Sequence, residues 1–419
     1  MTVIAIVGCG IAGHEAALTA RMTDLSARVK ILTEEKHPLY SACVLADYVA
    51  GEIPRQRVLI SRKQDYEEHR IELLLSQPVV DWFPDEGELQ LNSGKLPYDK
   101  LVLATGSRPI IPKSPGMNKK GVFNFKTLKD AENIKRASGK SAVIVGTGPV
   151  GIEVAVSLRR KGWSVTLIEL MGRVLPKVFD DPLADSLKKY LEAGGIQVFL
   201  EERLVEILGQ KRVEAVQTDR RSIPADLVVL GLGMRPETEL AKKGGLRLGP
   251  SGGILVDEGM NTSRPGVWAC GDCVESMDRI TGRKGLYMLW NNARLQERVA
   301  GANATDGERR YAGSFNLTTV NLFHDSAASV GVMAADLPDN EAQTFHQKGP
   351  RGELWLVLQN EQLVGVQALG RIERFGGLLG LLLRGENLRE KLKEKPQSKG
   401  WQTWALRGVQ RDLLRMLNT

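Results

Sequence analysis

The sequence predicts an α/β protein of two interleaved doubly wound domains followed by a C-terminal α+β domain. Three observations predict it. A buried-strand pattern, a glycine-rich turn and a helix pattern open the chain, and the same unit returns at residue 141. From Tyr311 onward, short strand-like segments replace that alternation. Strand–turn–helix units that alternate along a chain build parallel sheets covered on both faces.

The first unit is Val3-Ile-Ala-Ile-Val7, then Gly8-Cys-Gly-Ile-Ala-Gly13, then His14-Glu-Ala-Ala-Leu18. The apolar run reads as a fully buried strand. In the spacing G-x-G-x-x-G, Gly8 allows the tight turn, Gly10 lets backbone approach a pyrophosphate, and Gly13 packs helix on strand. The amides around Ile11 and Ala12 then face the phosphates along the helix dipole. The next strand, Val29 to Thr33, ends in Glu34-Glu35, and Glu34 is placed to accept ribose hydroxyls. A proline turn at Pro38 leads into a helix starting near Ser41, with Cys43 in its first turn. Residues 61–70 read as a helix, 71–75 as a strand and 79–92 as a β-meander beginning at Val79. Leu101-Val-Leu-Ala104-Thr105-Gly106 is a strand ending in a tight turn, followed by Ser107-Arg108-Pro109. A helix over 126–137 leads into the second unit.

There, Ser141-Ala-Val-Ile-Val145 precedes Gly146-Thr-Gly148-Pro149-Val150-Gly151 and the helix pattern Ile152 to Leu158. The following strand, Ser164 to Ile168, ends in Glu169. Two complete fingerprints imply two dinucleotides, and a flavin dinucleotide (FAD) beside NAD(H) is the chemical pairing, because one takes the hydride the other gives. Residues 183–193 are helical and 196–200 extended, with strands near 204–208 and 213–217. Asp226 to Gly233 repeats the strand and turn of 101–106. Gly266-Val-Trp-Ala-Cys-Gly271-Asp272 returns the chain to the first domain, and 287–304 has helical periodicity. Strands near 315–320, 327–332, 354–358 and 363–369, an apolar helix at 375–383 and a basic tail complete the chain. The expected domains are 1–110 with 240–310 for FAD, 111–239 for NAD, and 311–419 as an interface domain.

With 419 residues and a hydrophobic fraction of 42%, the chain has room for two or three cores. No apolar run approaches the ~20 residues of a membrane helix. The N-terminus lacks a basic n-region, and four cysteines do not make a disulfide framework, so a cytoplasmic protein without membrane span is expected. Net charge is +7, and from Arg384 to Thr419 nine Lys/Arg stand against four acids, giving +5. That tail is either a solvated helix surface or a docking surface for an acidic partner. Nucleic acid is not expected, because no recognition motif accompanies the charge. The five histidines show no paired spacing for a metal, so no metal site is expected.

The order of the two fingerprints, Ala104-Thr105-Gly106, Gly231-Leu-Gly233 and Gly271-Asp272 resembles the pyridine nucleotide–disulfide oxidoreductase superfamily over about the first 310 residues. Tyr40-Ser41-Ala-Cys43-Val-Leu and Leu289-Trp290-Asn-Asn-Ala293-Arg-Leu-Gln resemble its branch of NADH oxidases, coenzyme A disulfide reductases, rubredoxin reductases and the flavin half of nitrite reductase. The resemblance implies that Asp272 holds the flavin ribityl chain and that the helix from Leu289 aims its N-terminus at the flavin pyrimidine. It adds Ser41, Val79, Ala104, Thr105, Gly106, Arg108, Gly271, Trp290 and Ala293 to the flavin set, and Gly233 to the NAD set. It also implies that Glu153 lies near flavin and nicotinamide; read from the residues alone, Glu153 is a helix-face carboxylate. Glu169 favours NADH over NADPH, although Arg173 four residues on could offset it. Pro149 stands where the family often has an aromatic gate.

Cys43 aligns with the single redox cysteine of the thiol enzymes, and a cysteine at a helix N-terminus is a competent nucleophile. Against that, Ile11 replaces a histidine of NADH oxidases, one extra residue separates Cys43 from Gly51, and the last domain has one tyrosine, Tyr311, where coenzyme A disulfide reductases use two. Cys270 and Cys273 flank the Gly271-Asp272 turn and read as filler, as does Cys9. The expected function is an FAD enzyme taking hydride from NADH and passing electrons to a small acidic redox protein or iron–sulfur subunit, as a homodimer through the last domain. The alternative is a Cys43 thiol-based disulfide reductase or NADH oxidase. A non-enzymatic flavoprotein scaffold is the third reading.

Overall fold

The computed structural model describes residues 1–338, 341–350, 352–370, 372, 375–388 and 390. The chain packs as two compact units. The first comprises Met1–Leu45, Ile53–Arg108 and Met234–Phe315; the second comprises Ala46–Glu52, Pro109–Gly233 and the chain from Asn316. The basic tail from residue 391, with its apolar stripe of Trp401, Trp404, Ala405, Val409, Leu413, Met416 and Leu417, lies outside the described residues.

In the first unit a five-stranded parallel sheet runs Val267–Ala269, Lys100–Leu103, Val3–Val7, Arg28–Leu32, Ile71–Leu74. Ile4, Ala5 and Ile6 have no exposed surface, as a central strand covered on both faces requires. The winding reverses at Val3–Val7, and in open parallel sheets such reversal opens a crevice at the carboxyl ends of the strands. The glycine turn and the Ala104–Gly106 turn meet there. The second unit repeats the device with the order Ile196–Phe199, Ser164–Ile168, Ser141–Val145, Leu227–Leu230, Val122–Asn124.

Corresponding main-chain bonds match. Gly8 N donates to Leu32 O and Ala104 N to Val7 O, while Gly146 N donates to Ile168 O and Gly231 N to Val145 O. Each parallel sheet is accompanied by a three-stranded meander, Val79–Phe83 with Glu88–Leu91 and Gly94–Pro97, and Leu204–Leu208 with Ala215–Thr218 and Ser222–Pro224. The fold is therefore two interleaved dinucleotide-binding α/β domains, as the repeated fingerprint predicts.

The C-terminal part is an antiparallel sheet in the order Leu317–Asn321, Ser326–Gly331, Gln362–Gly370, Gly352–Gln359, Gln343–Gly349. The helix Phe375–Arg384 buries Phe375, Leu378, Leu381 and Leu382, a one-sided stripe at helical spacing. The edge strand Gln343–Gly349 was not expected from the sequence. Within the second unit, this sheet is tied to the helix Asp181–Ala193 through Asp180. The Asp180 carboxylate accepts from Gln367 Nε2 at 2.7 Å, Ala334 N at 3.0 Å, Trp355 Nε1 at 3.1 Å and Ala335 N at 3.2 Å. Its amide donates to Gln367 Oε1 at 2.8 Å.

Candidate functional site

The first glycine turn is shaped by its neighbours. Gly8 has φ +112°, and a Cβ there would stand 2.1 Å from Ala104 O. A Cβ on Gly13 would stand 1.9 Å from Gly8 O, so two of the three glycines are required by the chain itself. Gly10 is different, because among the described residues nothing lies within 4 Å of its Cβ position. The open side of the turn is thus at the middle glycine, which caps the helix Ile11–Thr23 without a side-chain hydrogen bond. The second turn is the same in kind. Gly146 and Gly151 are closed off at 2.4 Å by Gly231 O and at 2.1 Å by Gly146 O, while Gly148 meets only Gly231 O at 4.0 Å. Gly148 caps the helix Pro149–Arg160, again without a side-chain partner, and Pro149 and Val150 form its first turn. Two helix N-termini with open middle glycines suit the pyrophosphates of two dinucleotides.

The acidic partners differ from each other. Glu34 is exposed, whereas Glu35 is half-buried and accepts from Tyr40 Oη at 2.9 Å. Glu169 braces its own glycine turn: Oε2 accepts from Thr147 N and Thr147 Oγ1, both at 2.8 Å, and Oε1 from Met171 N at 3.0 Å. Arg173, the cation that could neutralise Glu169, pairs with Asp181 at 2.6 Å and donates to Pro176 O.

Around Ala104-Thr105-Gly106, Thr105 Oγ1 donates to Glu237 O at 2.6 Å, Glu237 N donates to Gly106 O at 2.9 Å, and Arg108 pairs with the Glu237 carboxylate. Gly233, φ +93°, accepts from Ile110 N at 3.0 Å in the second unit. Gly271, φ +84°, abuts Ala12, and Asp272 Oδ2 accepts from Ser107 Oγ at 2.7 Å. Ser107 is a residue sequence reasoning passed over, although it directly follows the Ala-Thr-Gly turn. Leu289 caps the helix Trp290–Asn303 without a side-chain hydrogen bond, Trp290 is half-buried and Ala293 buried. Asn292, fully buried, was also missed: its Nδ2 donates to Phe315 O at 3.0 Å and its Oδ1 accepts from Phe315 N at 3.3 Å.

Ser41 precedes the short turn Ala42–Val44, wound as a 3₁₀ helix that runs directly into the helix Leu45–Ala50. Cys43 therefore sits in the first turn, as expected, with its side chain exposed. Val79 begins its strand half-buried. Glu153, on the helix Pro149–Arg160, accepts from Asn321 N at 3.1 Å, and burial pushes its carboxyl up to about 7. Cys270 and Cys273 are wholly buried, and burial raises both thiols, which disfavours the thiolate. Burial likewise raises Cys9, to about 11, beside the Tyr66 hydroxyl.

The family model for pyridine nucleotide-disulphide oxidoreductases matches residues 2–296. The NADH oxidase of Methanocaldococcus jannaschii is 35% identical over 317 residues, covering 73% of this chain and 70% of the relative. The NAD(P)H coenzyme A polysulfide/persulfide reductase of Pyrococcus horikoshii is 31% identical over 388 residues, covering 88% and 87%. A ferredoxin reductase structure from Rhodopseudomonas palustris, 25% identical, superposes with a TM-score of 0.87 over 97% of this chain and 100% of that one. Among the described residues no helix is long and apolar enough to cross a membrane. The chain belongs to the pyridine nucleotide-disulphide oxidoreductase family and is an FAD-dependent enzyme that uses NAD(P)H.

Proposed function

We propose that the protein takes hydride from NADH and passes the electrons to a small acidic redox protein of the iron–sulfur type. FAD, when bound, supplies the conversion of a two-electron hydride into single electrons. On this reading the first glycine turn (Gly8, Gly10, Ile11, Ala12, Gly13), Glu34 or Glu35 and Asp272 hold FAD. Ser41, Val79, Ala104, Thr105, Gly106, Arg108, Gly271, Leu289, Trp290 and Ala293 line it. Gly146, Gly148, Pro149, Val150, Gly151, Glu169 and Gly233 hold NADH, and Glu153 takes or gives a proton beside the nicotinamide. A cytoplasmic homodimer formed through the C-terminal domain is the corresponding assembly.

The observation that carries the acceptor class is electrostatic. Two segments of the first unit, 36–45 and 53–63, run side by side. Ser41 N donates to Val58 O, and Ile60 N and Ser61 N donate to Leu39 O. Together they hold Lys36, Arg55, Arg57, Arg62 and Lys63, and no carboxylate. Arg62 pairs with Asp65 at 3.5 Å and Lys63 with Glu67 at 3.9 Å, whereas Arg57 and Lys36 are exposed, so the positive excess rests chiefly on those two. A cationic face of this kind steers an acidic protein and loses that steering as salt rises. Exposed Cys43 lies on the first of these segments, which supports the second reading, a thiol-based reductase.

Reduction of a ferredoxin and of ferricyanide, each with NADH as donor, separates the two. Arg57→Glu should lower kcat/KM for ferredoxin about tenfold, as loss of a steering charge does, with ferricyanide reduction unchanged. Cys43→Ser should leave both activities intact. Loss of all acceptor activity in Cys43→Ser, with flavin still reduced by NADH, establishes the thiol route and overturns the leading reading.

Cofactor choice is tested with the same protein. Because Asp181 engages Arg173, Glu169 faces a 2′-phosphate without relief. An unrelieved polar clash costs on the order of 2–3 kcal/mol, so NADH should exceed NADPH in kcat/KM by roughly 30-fold or more. Equal values for the two cofactors would show that another cation offsets Glu169.

A further inference from the structure

Behind the Gly271-Asp272 turn lies a buried polar array centred on Gln296, the last residue of the Leu289 motif, to which the sequence assigned no role. Gln296, on the helix Trp290–Asn303, is 1% exposed. Its Oε1 accepts from Gly271 N at 2.8 Å, and its Nε2 donates to Ser276 Oγ and Ser314 Oγ, both at 3.3 Å. The two serine hydroxyls are 2.8 Å apart, and Ser314 Oγ is 2.9 Å from the Tyr311 hydroxyl. Ser276, Ser314 and Tyr311 are buried as well.

The array has a fixed polarity. A main-chain amide can only donate, so it demands the carbonyl end of Gln296. Two hydroxyls can accept, so they take the NH₂ end. A flipped side chain would set N–H against N–H at Gly271 in a buried place, which costs more than losing a bond at the surface. The turn is also held from its other side, because Gly271 meets Ala12 of the first glycine helix so closely that a Cβ would lie 2.9 Å from that methyl. Asp272 follows directly, and Ser107 orients its carboxylate at 2.7 Å.

We propose that Gln296 is a positioning residue for the flavin ribityl site. Through Gly271 N it fixes the main chain that presents Asp272, and Ser276, Ser314 and Tyr311 set which way its amide points. The inference rests on the reading of Asp272 as the ribityl acceptor.

The test uses the deflavinated protein and measures the FAD dissociation constant by quenching of flavin fluorescence. Gln296→Leu should weaken FAD about tenfold, the usual size for a lost buried hydrogen bond. Gln296→Glu keeps an acceptor for Gly271 N while the serine hydroxyls turn to donate, and should stay within about threefold of the parent. Ser314→Ala, which loosens only the polarity, should fall between them. Asp272→Ala should weaken FAD more than any of these, and Asp272→Ala with Gln296→Leu should bind no more weakly than Asp272→Ala alone, because both act through one group. Losses that add would make Gln296 a general packing residue and overturn the proposal, as would full affinity in Gln296→Leu. Full affinity in Asp272→Ala would overturn the ribityl reading itself, and the proposal with it.

Discussion

Asp180→Ala should destabilise the second unit by about 3 kcal/mol, because one small truncation takes the acceptor from the buried Gln367 amide and from three part-buried donors. Asp180 is 5% exposed and Gln367 is fully buried. The carboxylate is the shared acceptor for Gln367 Nε2, Trp355 Nε1 and the amides of Ala334 and Ala335. Asp180→Asn is the informative companion: its NH₂ group must face one of these donors, so about 2 kcal/mol should still be lost. The C-terminal sheet should then become sensitive to limited proteolysis, while the protein keeps its flavin spectrum, because Gly8–Gly13 and Asp272 belong to the other unit. An Asp180→Ala protein that melts like the parent would show that the sheet is held by its apolar face alone.

This anchor also shows where sequence reading stops. The glycine turns were legible because each of their residues answers a local demand: a positive φ, a close carbonyl, an open side for a ligand. Their strands were legible because central parallel strands are continuous apolar runs. Asp180 was not, because its partners Trp355 and Gln367 lie 175 and 187 residues away, and no local pattern links them. Ser276 and Ser314 were hidden for the same reason, and Gln296, although it closes the Leu289 motif, had no legible partner. The strand Gln343–Gly349 was missed because it is an edge strand whose residues are half-buried or exposed, so the apolar alternation that marks a strand is absent. Arg173 shows the converse. Its spacing suggested relief for Glu169, and only the fold reveals Asp181 as its partner.

Glu297→Gln should remove most of a pH dependence built into the flavin-binding unit. Glu297 has no exposed surface, and among the described residues neither carboxyl oxygen has a hydrogen-bond partner. It shares a face of the helix Trp290–Asn303 with Gly301, whose Cβ position lies 2.4 Å from Ala16 O, so the carboxyl is enclosed where two helices meet. Burial, aided by the Glu15 charge, pushes its pKa from near 4.5 up to about 10, and Arg294 and Arg298 only partly oppose this. The unfolded chain releases the proton near the ordinary carboxyl value, whereas the folded chain keeps it until far higher pH. Between those limits the folded state binds one proton more, so stability is greatest below the unfolded pKa and falls as pH rises. The slope is about 1.4 kcal/mol per pH unit, or about 3 kcal/mol between pH 6 and pH 8. Urea unfolding of FAD-saturated parent and Glu297→Gln across that range should therefore give curves that diverge, the variant gaining on the parent with each unit of pH. Glu297→Leu should gain further, since it also removes two unsatisfied oxygens from the interior. Parallel curves would mean that Glu297 is ionised in the folded protein.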